Sequence, residues 1–182
     1  MAVIDNVVCG INDQMVAFLN NPSESSIYGL AELRRDREGF RPYILDASGN
    51  GKYIGIDTKN RLSWFWLMNF ISSNEATFED ERDQNVNCTI VCYYSTKFYK
   101  ERAYNIGMQV LGSIPDWISP APYGLSMTVI KAGNLMLDQT LILQNYYGMD
   151  TKQAEGMITN MGVFAIHVDI HITYSVNCNP FC

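Results

Sequence analysis

A chain of 182 residues that is 47% hydrophobic and 12% aromatic is long and apolar enough to bury a substantial core, which sets disorder aside. Its net charge of -6 and pI near 4.8 exclude a non-specific grip on nucleic-acid phosphates, which needs a basic face. No run of about eighteen uncharged apolar residues occurs, and Asp5 and Asn6 stand where a leader would carry Lys or Arg, so neither a membrane span nor a signal peptide is expected.

Ile4, Val7, Val8, Ile11, Met15, Phe18 and Leu19 recur at helical spacing and Asn20-Asn21-Pro22 closes the run, which predicts an amphipathic N-terminal helix. Residues 22–38 read as a Ser-rich link into a mixed-sign cluster (Glu32, Arg34, Arg35, Asp36, Arg37, Glu38), a solvated surface. Phe40–Leu45 and Lys52–Ile56 flank the Gly/Asn-rich turn Asp46–Gly51 and predict a hairpin. Gly49-Asn50-Gly51-Lys52 is not a phosphate loop, because Asp46 stands at the position of its first Gly and Tyr53 follows the Lys. Leu62–Phe70 is apolar on both sides, with Trp64, Trp66, Met68 and Phe70 on one and Phe65 and Leu67 on the other. It predicts a strand buried on both faces. Glu75, Glu79, Asp80, Glu81 and Asp83 predict an exposed loop without calcium-loop spacing.

Val86–Ser95 alternates as a strand with Cys88 and Cys92 on one face, too far apart along a strand for a disulfide. A zinc site joining them to Cys178 and Cys182 lacks the two-residue knuckle. Five cysteines, an odd and scattered set, fit free thiols made in a reducing cytosol, and the glycosylation triplet Asn87-Cys88-Thr89 falls inside the strand. Thr96 can cap a helix through Leu111, stopped by Gly112. Pro115, Pro120 and Pro122 then make an extended loop around Trp117, which either anchors a partner or tucks over the core. Leu125–Lys131 predicts a strand, Ala132-Gly133-Asn134 a turn and Asp138–Tyr147 a short helix ended by Gly148. Thr151–Asn160 predicts one more helical turn.

The last long run, Gly162–Val176, is the clearest element. Phe164, Ile166, Val168, Ile170, Ile172 and Tyr174 fall on one face, and His167, Asp169, His171, Thr173 and Ser175 on the other, over a length on the order of 40 Å. His167-x-Asp169-x-His171 holds the chain's two histidines and sets three potential zinc or iron ligands on one strand face. Alternation alone also demands polar residues at these positions, and no further ligand is identifiable, so the expectation is a polar face with no metal or other cofactor. There is no Gly-x-Ser-x-Gly elbow and no capable base outside this strand, so the chain does not read as an enzyme.

Only seven charged residues follow Arg102, and the last 80 residues are rich in Asn, Gln, Ser, Thr, Met and Tyr. That composition suits either a large buried fraction or contact with other subunits, whose interface cores are depleted in charge and enriched in Tyr, Trp and Met. Trp117, Tyr123, Tyr146 and Tyr147 are the candidate contacts in this half.

The order strand Val86–Ser95, helix Thr96–Leu111, strand Leu125–Lys131, short helix Asp138–Tyr147 and the aromatic-led strand from Phe164 to Tyr174 resembles the tail-terminator and neck-ring (head–tail connector) proteins of tailed bacteriophages. In these an antiparallel sheet with helices on one face assembles side by side into a ring between portal and tail. The likeness covers residues 86–176, and residues 1–85 fit as an N-terminal helix, an extra β-hairpin and the two-Trp strand, with 177–182 a tail, all in one domain. The resemblance implies an α+β fold with an antiparallel or mixed sheet and helices packed on one face. It implies a structural virion protein of the neck or tail, made in the host cytoplasm, whose partners are copies of itself, a portal or connector and tail proteins. DNA would pass through the ring without specific binding, no membrane is involved, and no catalytic residue carries over. The competing classes are a metal- or small-molecule-binding module using the His167/Asp169/His171 face and a non-viral adaptor binding through a sheet edge.

Overall fold

The computed structural model describes residues 2–20, 26–35, 39–45, 50–56, 61–74, 81–118 and 127–175. Helix α1 (Ala2–Leu19) forms on the predicted stripe, and Ile4, Val7, Val8, Ile11 and Met15 are all buried. In the last turn Leu19, four residues after Met15, takes the packing position, and Phe18, expected in the same stripe, is exposed. Asn20 then leaves the helix with φ of 49°, a left-handed conformation that Asn adopts more readily than most side chains.

The strands are β1 (Ile27–Arg35), β2 (Phe40–Leu45), β3 (Gly51–Tyr53), β4 (Leu62–Asn74), β5 (Glu81–Ser95), β6 (Trp117–Ile118), β7 (Met127–Met136) and β8 (Met161–Ser175). They form one eight-stranded sheet in the order β3-β2-β1-β4-β5-β8-β7-β6. β1 and β4 run parallel and all other neighbours antiparallel, so the sheet is mixed and the fold α+β, as expected. The axis is the β5–β8 ladder, paired without a register shift from Glu81↔Ser175 to Ser95↔Met161. The expected extra hairpin is β2–β3, with Leu45 paired to Gly51.

The helices do not all lie on one face. α1 and α2 (Ala103–Ser113) cover the side of Trp64, Trp66, Cys88, Ile90, Phe164, Ile166 and Val168. α3 (Gln139–Tyr147) and α4 (Thr151–Ile158) pack on the other side, over Phe65, Leu67, Val91, Tyr93, Val163 and Ala165. The reason is in the strands: at this end both sets of alternate residues are apolar, and burying each large side chain stabilises the fold by about 1.5–3 kcal/mol, so both faces need a cover. α3 starts where the Asp138 carboxylate accepts from the Leu141 N–H at 3.0 Å, and α4 starts on an Asp150/Gln153 capping box. Gly148 ends α3 at φ of 61°, and a Cβ there would lie 2.8 Å from the Phe40 carbonyl oxygen. Only Gly lets β2 sit this close to the helix end.

Several boundaries differ from those the sequence predicts. Ile27–Arg35, read as a link and solvated cluster, is a strand held by pairing to both β4 and β2, while Glu32 and Arg34 remain exposed and pair at 2.9 Å. Glu81 and Asp83, read as part of an acidic loop, extend β5, because β4 and β8 both continue beside it. Glu75, Glu79 and Asp80 lie outside the described residues. Thr96 caps no helix; its N–H donates to the Asn160 carbonyl at 3.2 Å, the chain turns, and α2 begins only at Ala103. Gly112 sits inside its last turn. Ala132-Gly133-Asn134 is not a turn between elements but an irregularity within β7, where the register to β8 shifts between Ala132 and Leu135. A second shift between Met68 and Phe70 moves Phe70 off the face of Trp64 and Trp66 onto the opposite one, opposite Asn87.

Candidate functional site

Where α3 and α4 end, no described element covers that face of the sheet. Along β8 this happens after Ala165: Val163 and Ala165 are buried under the helices, whereas His167, His171 and Thr173 are half-buried and Asp169 is exposed. Residues directly opposite each other in a ladder share a face. The open face therefore carries Asp83, Asn85, Asn87 and Thr89 of β5 beside Thr173, His171, Asp169 and His167 of β8, with Val129 and Lys131 of β7 on the far side.

These side chains are tied rung by rung. Thr89 Oγ1 lies 3.0 Å from His167 Nδ1 and accepts from Asn69 Nδ2 at 2.9 Å. Asn69 also donates to Asn87 Oδ1 at 2.7 Å, and Asn87 Nδ2 donates to Asp169 Oδ1 at 2.6 Å. Asn85 Oδ1 lies 2.6 Å from His171 Nδ1, and Thr173 Oγ1 donates to Asp83 Oδ1 at 2.8 Å, with His171 Nε2 3.7 Å from the same carboxylate oxygen. Asn69 reaches this network because it continues the alternation of Phe65 and Leu67 on that face, one step beyond Leu67↔Thr89. A depression of about 380 Å³ lies among Phe70, Asn85, Asn87, Lys131, Asp169 and His171. The result is a rigid polar platform with mixed charge, not a strip of cations.

The platform brings together His167, Asp169 and His171, but on separate rungs. Four residues of extended strand hold the two imidazoles about 13 Å apart, and each engages a different β5 side chain. Among the described residues no group of three or more His, Cys, Asp or Glu side chains could hold a metal ion. Purified protein is therefore expected to carry no stoichiometric zinc or iron, and the double change His167→Gln with His171→Gln to leave its melting temperature within a few degrees of the parent. One zinc or iron per chain by elemental analysis, lost in the double variant, would overturn this.

The partners Asn69, Asn85, Asn87 and Thr89 were not foreseen from the sequence, although Asp83, Asn85, Asn87 and Thr89 alternate with Val86, Cys88 and Ile90 in the same two-residue period that marks β8. Of the candidate contacts, Trp117 stands 64% exposed on the edge strand β6, and Tyr146 is half-buried against the α3/α4 core. Tyr123 lies outside the described residues. Tyr147 is a core residue and not a surface contact: it is 5% exposed, and its ring packs edge-on to Phe65 with centroids 5.7 Å apart. Burial pushes its phenol well above the usual range, and the nearby Tyr93, Tyr28 and Cys92 push in the same direction.

The thiols offer no nucleophile in the core. Cys88 and Cys92 are free and buried. Burial first, and then the Asp169 carboxylate, raise the Cys88 thiol to about 12, and burial raises Cys92 well above its usual value. A larger cavity of about 720 Å³ lies at the other edge of the sheet, between the end of the β2–β3 hairpin and α4. Its lining includes Ile54, Ile56, Met149 and Met157, with Arg41 and Lys152 as cations. No helix among the described residues is long and apolar enough to cross a membrane. No protein-family model matches the chain, and no curated protein matches it.

Proposed function

We propose that this protein is a structural virion subunit that assembles with copies of itself into a closed ring at the head–tail junction of a tailed phage, joining portal or connector to tail. The observation that carries the reading is the pair of unlike sheet edges. Among the described residues the sheet ends in β3 on one side and β6 on the other, so its two edges are built from different strands. A contact between two different surfaces of one subunit, repeated by rotation, closes into a ring when the rotation divides a full turn. The chain order β5, α2, β6, β7, α3, α4, β8, with β8 between β5 and β7 in the sheet, contains the strands and helices on which the resemblance rests, with β6 and α4 in addition. α3 and α4 depart from its one-faced arrangement and leave only the far half of their face open.

The open platform suits a surface that meets other proteins or lines a passage. Its cation Lys131 is registered opposite Asp169, and Asp83 adds a second carboxylate, so DNA could slide past without being gripped. A metal-binding module draws less support, because the imidazoles and the Asp169 carboxylate each engage a neighbouring strand's side chain instead of converging. Any assemblies that negative-stain imaging of concentrated protein reveals should be closed particles of one diameter. Filaments of indefinite length would contradict closure.

A further inference from the structure

We propose that Trp117 of one copy seats in the cavity between the β2–β3 hairpin and α4 of the next, which makes the two unlike sheet edges the two halves of one contact. The inference rests on the ring reading above and supplies its interface.

Three observations point to a second copy as the occupant. The first is placement. Trp117 is registered opposite Val129, and Val129 opposite His171, so its side chain belongs to the open face, the face on which α3 and α4 also pack. The next residue, Ile118, turns the other way and is buried with α1 and α2. Knob and cavity thus lie on one face at opposite ends of the strand order, which is what side-by-side repetition of a subunit requires.

The second is shape and chemistry. An indole left 64% exposed on an edge strand presents a large flat apolar area that a partner can bury, with an N–H at its edge for a polar contact. The cavity of about 720 Å³ has room for it, and Ile54, Ile56, Met149 and Met157 give it apolar walls. Two of these are methionines, whose unbranched side chains adjust to a flat ring.

The third is charge. Asp116, next to Trp117, is exposed, and the cavity's lining carries Arg41 and Lys152. Seating the indole brings the Asp116 carboxylate to that cationic rim. The two surfaces thus carry opposite local charge, which favours their approach.

The test replaces Trp117 in the full chain with a benzophenone amino acid and irradiates the protein at ~1 mM, where contacts of millimolar affinity are populated. Isotope-labelled and unlabelled copies are mixed so that links between chains are recognised. The expected result is a ladder of covalent oligomers whose linked peptide spans residues 149–157 of another copy. Asp116→Lys should lower the yield on the order of tenfold by opposing like charges, and Lys152→Glu in the receiving copy should restore it. Links that map to another segment, or a yield no higher than that from the same group placed at the exposed Phe18, would overturn the inference. So would failure of the charge swap to restore the yield. The ring reading fails separately: links at the cavity within open filaments would keep this contact and remove closure, whereas closed rings with links elsewhere would keep the ring and remove this contact.

Discussion

Asn12→Leu is expected to lower the free energy of unfolding by about 2–6 kcal/mol. Asn12 is a polar residue on the buried face of α1, and its Oδ1 accepts from the indole N–H of both Trp64, at 2.9 Å, and Trp66, at 2.8 Å. Its Nδ2 donates to the Tyr28 carbonyl at 3.3 Å, so one side chain ties α1 to β4 and β1 together. Leu keeps the branching at Cγ and the number of heavy atoms but removes the acceptor and leaves two buried indole donors unpaired, each costing about 1–3 kcal/mol. That is a large share of the roughly 5–15 kcal/mol that holds a domain folded. Urea unfolding followed by circular dichroism checks it against Asn6→Leu, an exposed change on the same helix that should stay within about 0.5 kcal/mol. Equal midpoints for the two variants would mean that the indoles find other acceptors.

Ile170→Asp is expected to abolish folded, soluble protein, whereas His171→Asp leaves it folded. Ile170 is 1% exposed on β8, registered between Val86 of β5 and Ile130 of β7 in the core under α1 and α2. An unpaired carboxylate there costs several kcal/mol in desolvation on top of the lost packing, comparable with the whole stability. One residue on, the side chain faces the open platform. There a carboxylate keeps part of its water, and its repulsion with the half-buried Asp83 is smaller than the cost of a lone carboxylate in the core. Gel filtration and circular dichroism of the two variants decide it, and equal loss of folded protein would show that the facing of β8 is wrong.

The long strand was legible because its two faces meet different surroundings, core on one side and open platform on the other, so Phe164 to Ile172 and His167 to Thr173 separate cleanly in the sequence. β4 was legible for the opposite reason, since Trp64–Leu67 is buried on both sides. What stayed hidden depends on partners far away in the chain. β1 is a strand because β2 and β4 flank it; its own charged end says surface, and Glu32 and Arg34 are indeed exposed. Ala132-Gly133-Asn134 has the residues of a turn, and nothing local distinguishes a turn from an irregularity that the β8 register absorbs. The polar face of β8 was read from alternation, but its partners on β5 are 78 to 90 positions away, and pairing at that range is set by register. The second cover, α3 and α4, follows from Val91, Tyr93, Val163 and Ala165 being apolar on the other face. This pattern is present in the sequence and becomes interpretable once β5 and β8 are known to be neighbours.

A subunit of this kind can stay monomeric until a portal or tail presents a template, so its behaviour in free solution is secondary to its place in the particle. The measurement that tests the ring reading most directly is imaging of disrupted virions in which this protein carries a label. A single narrow band of label at the neck, between head and tail, is the expected result. Label spread over the capsid shell, distributed along the whole tail, or missing from particles would contradict it.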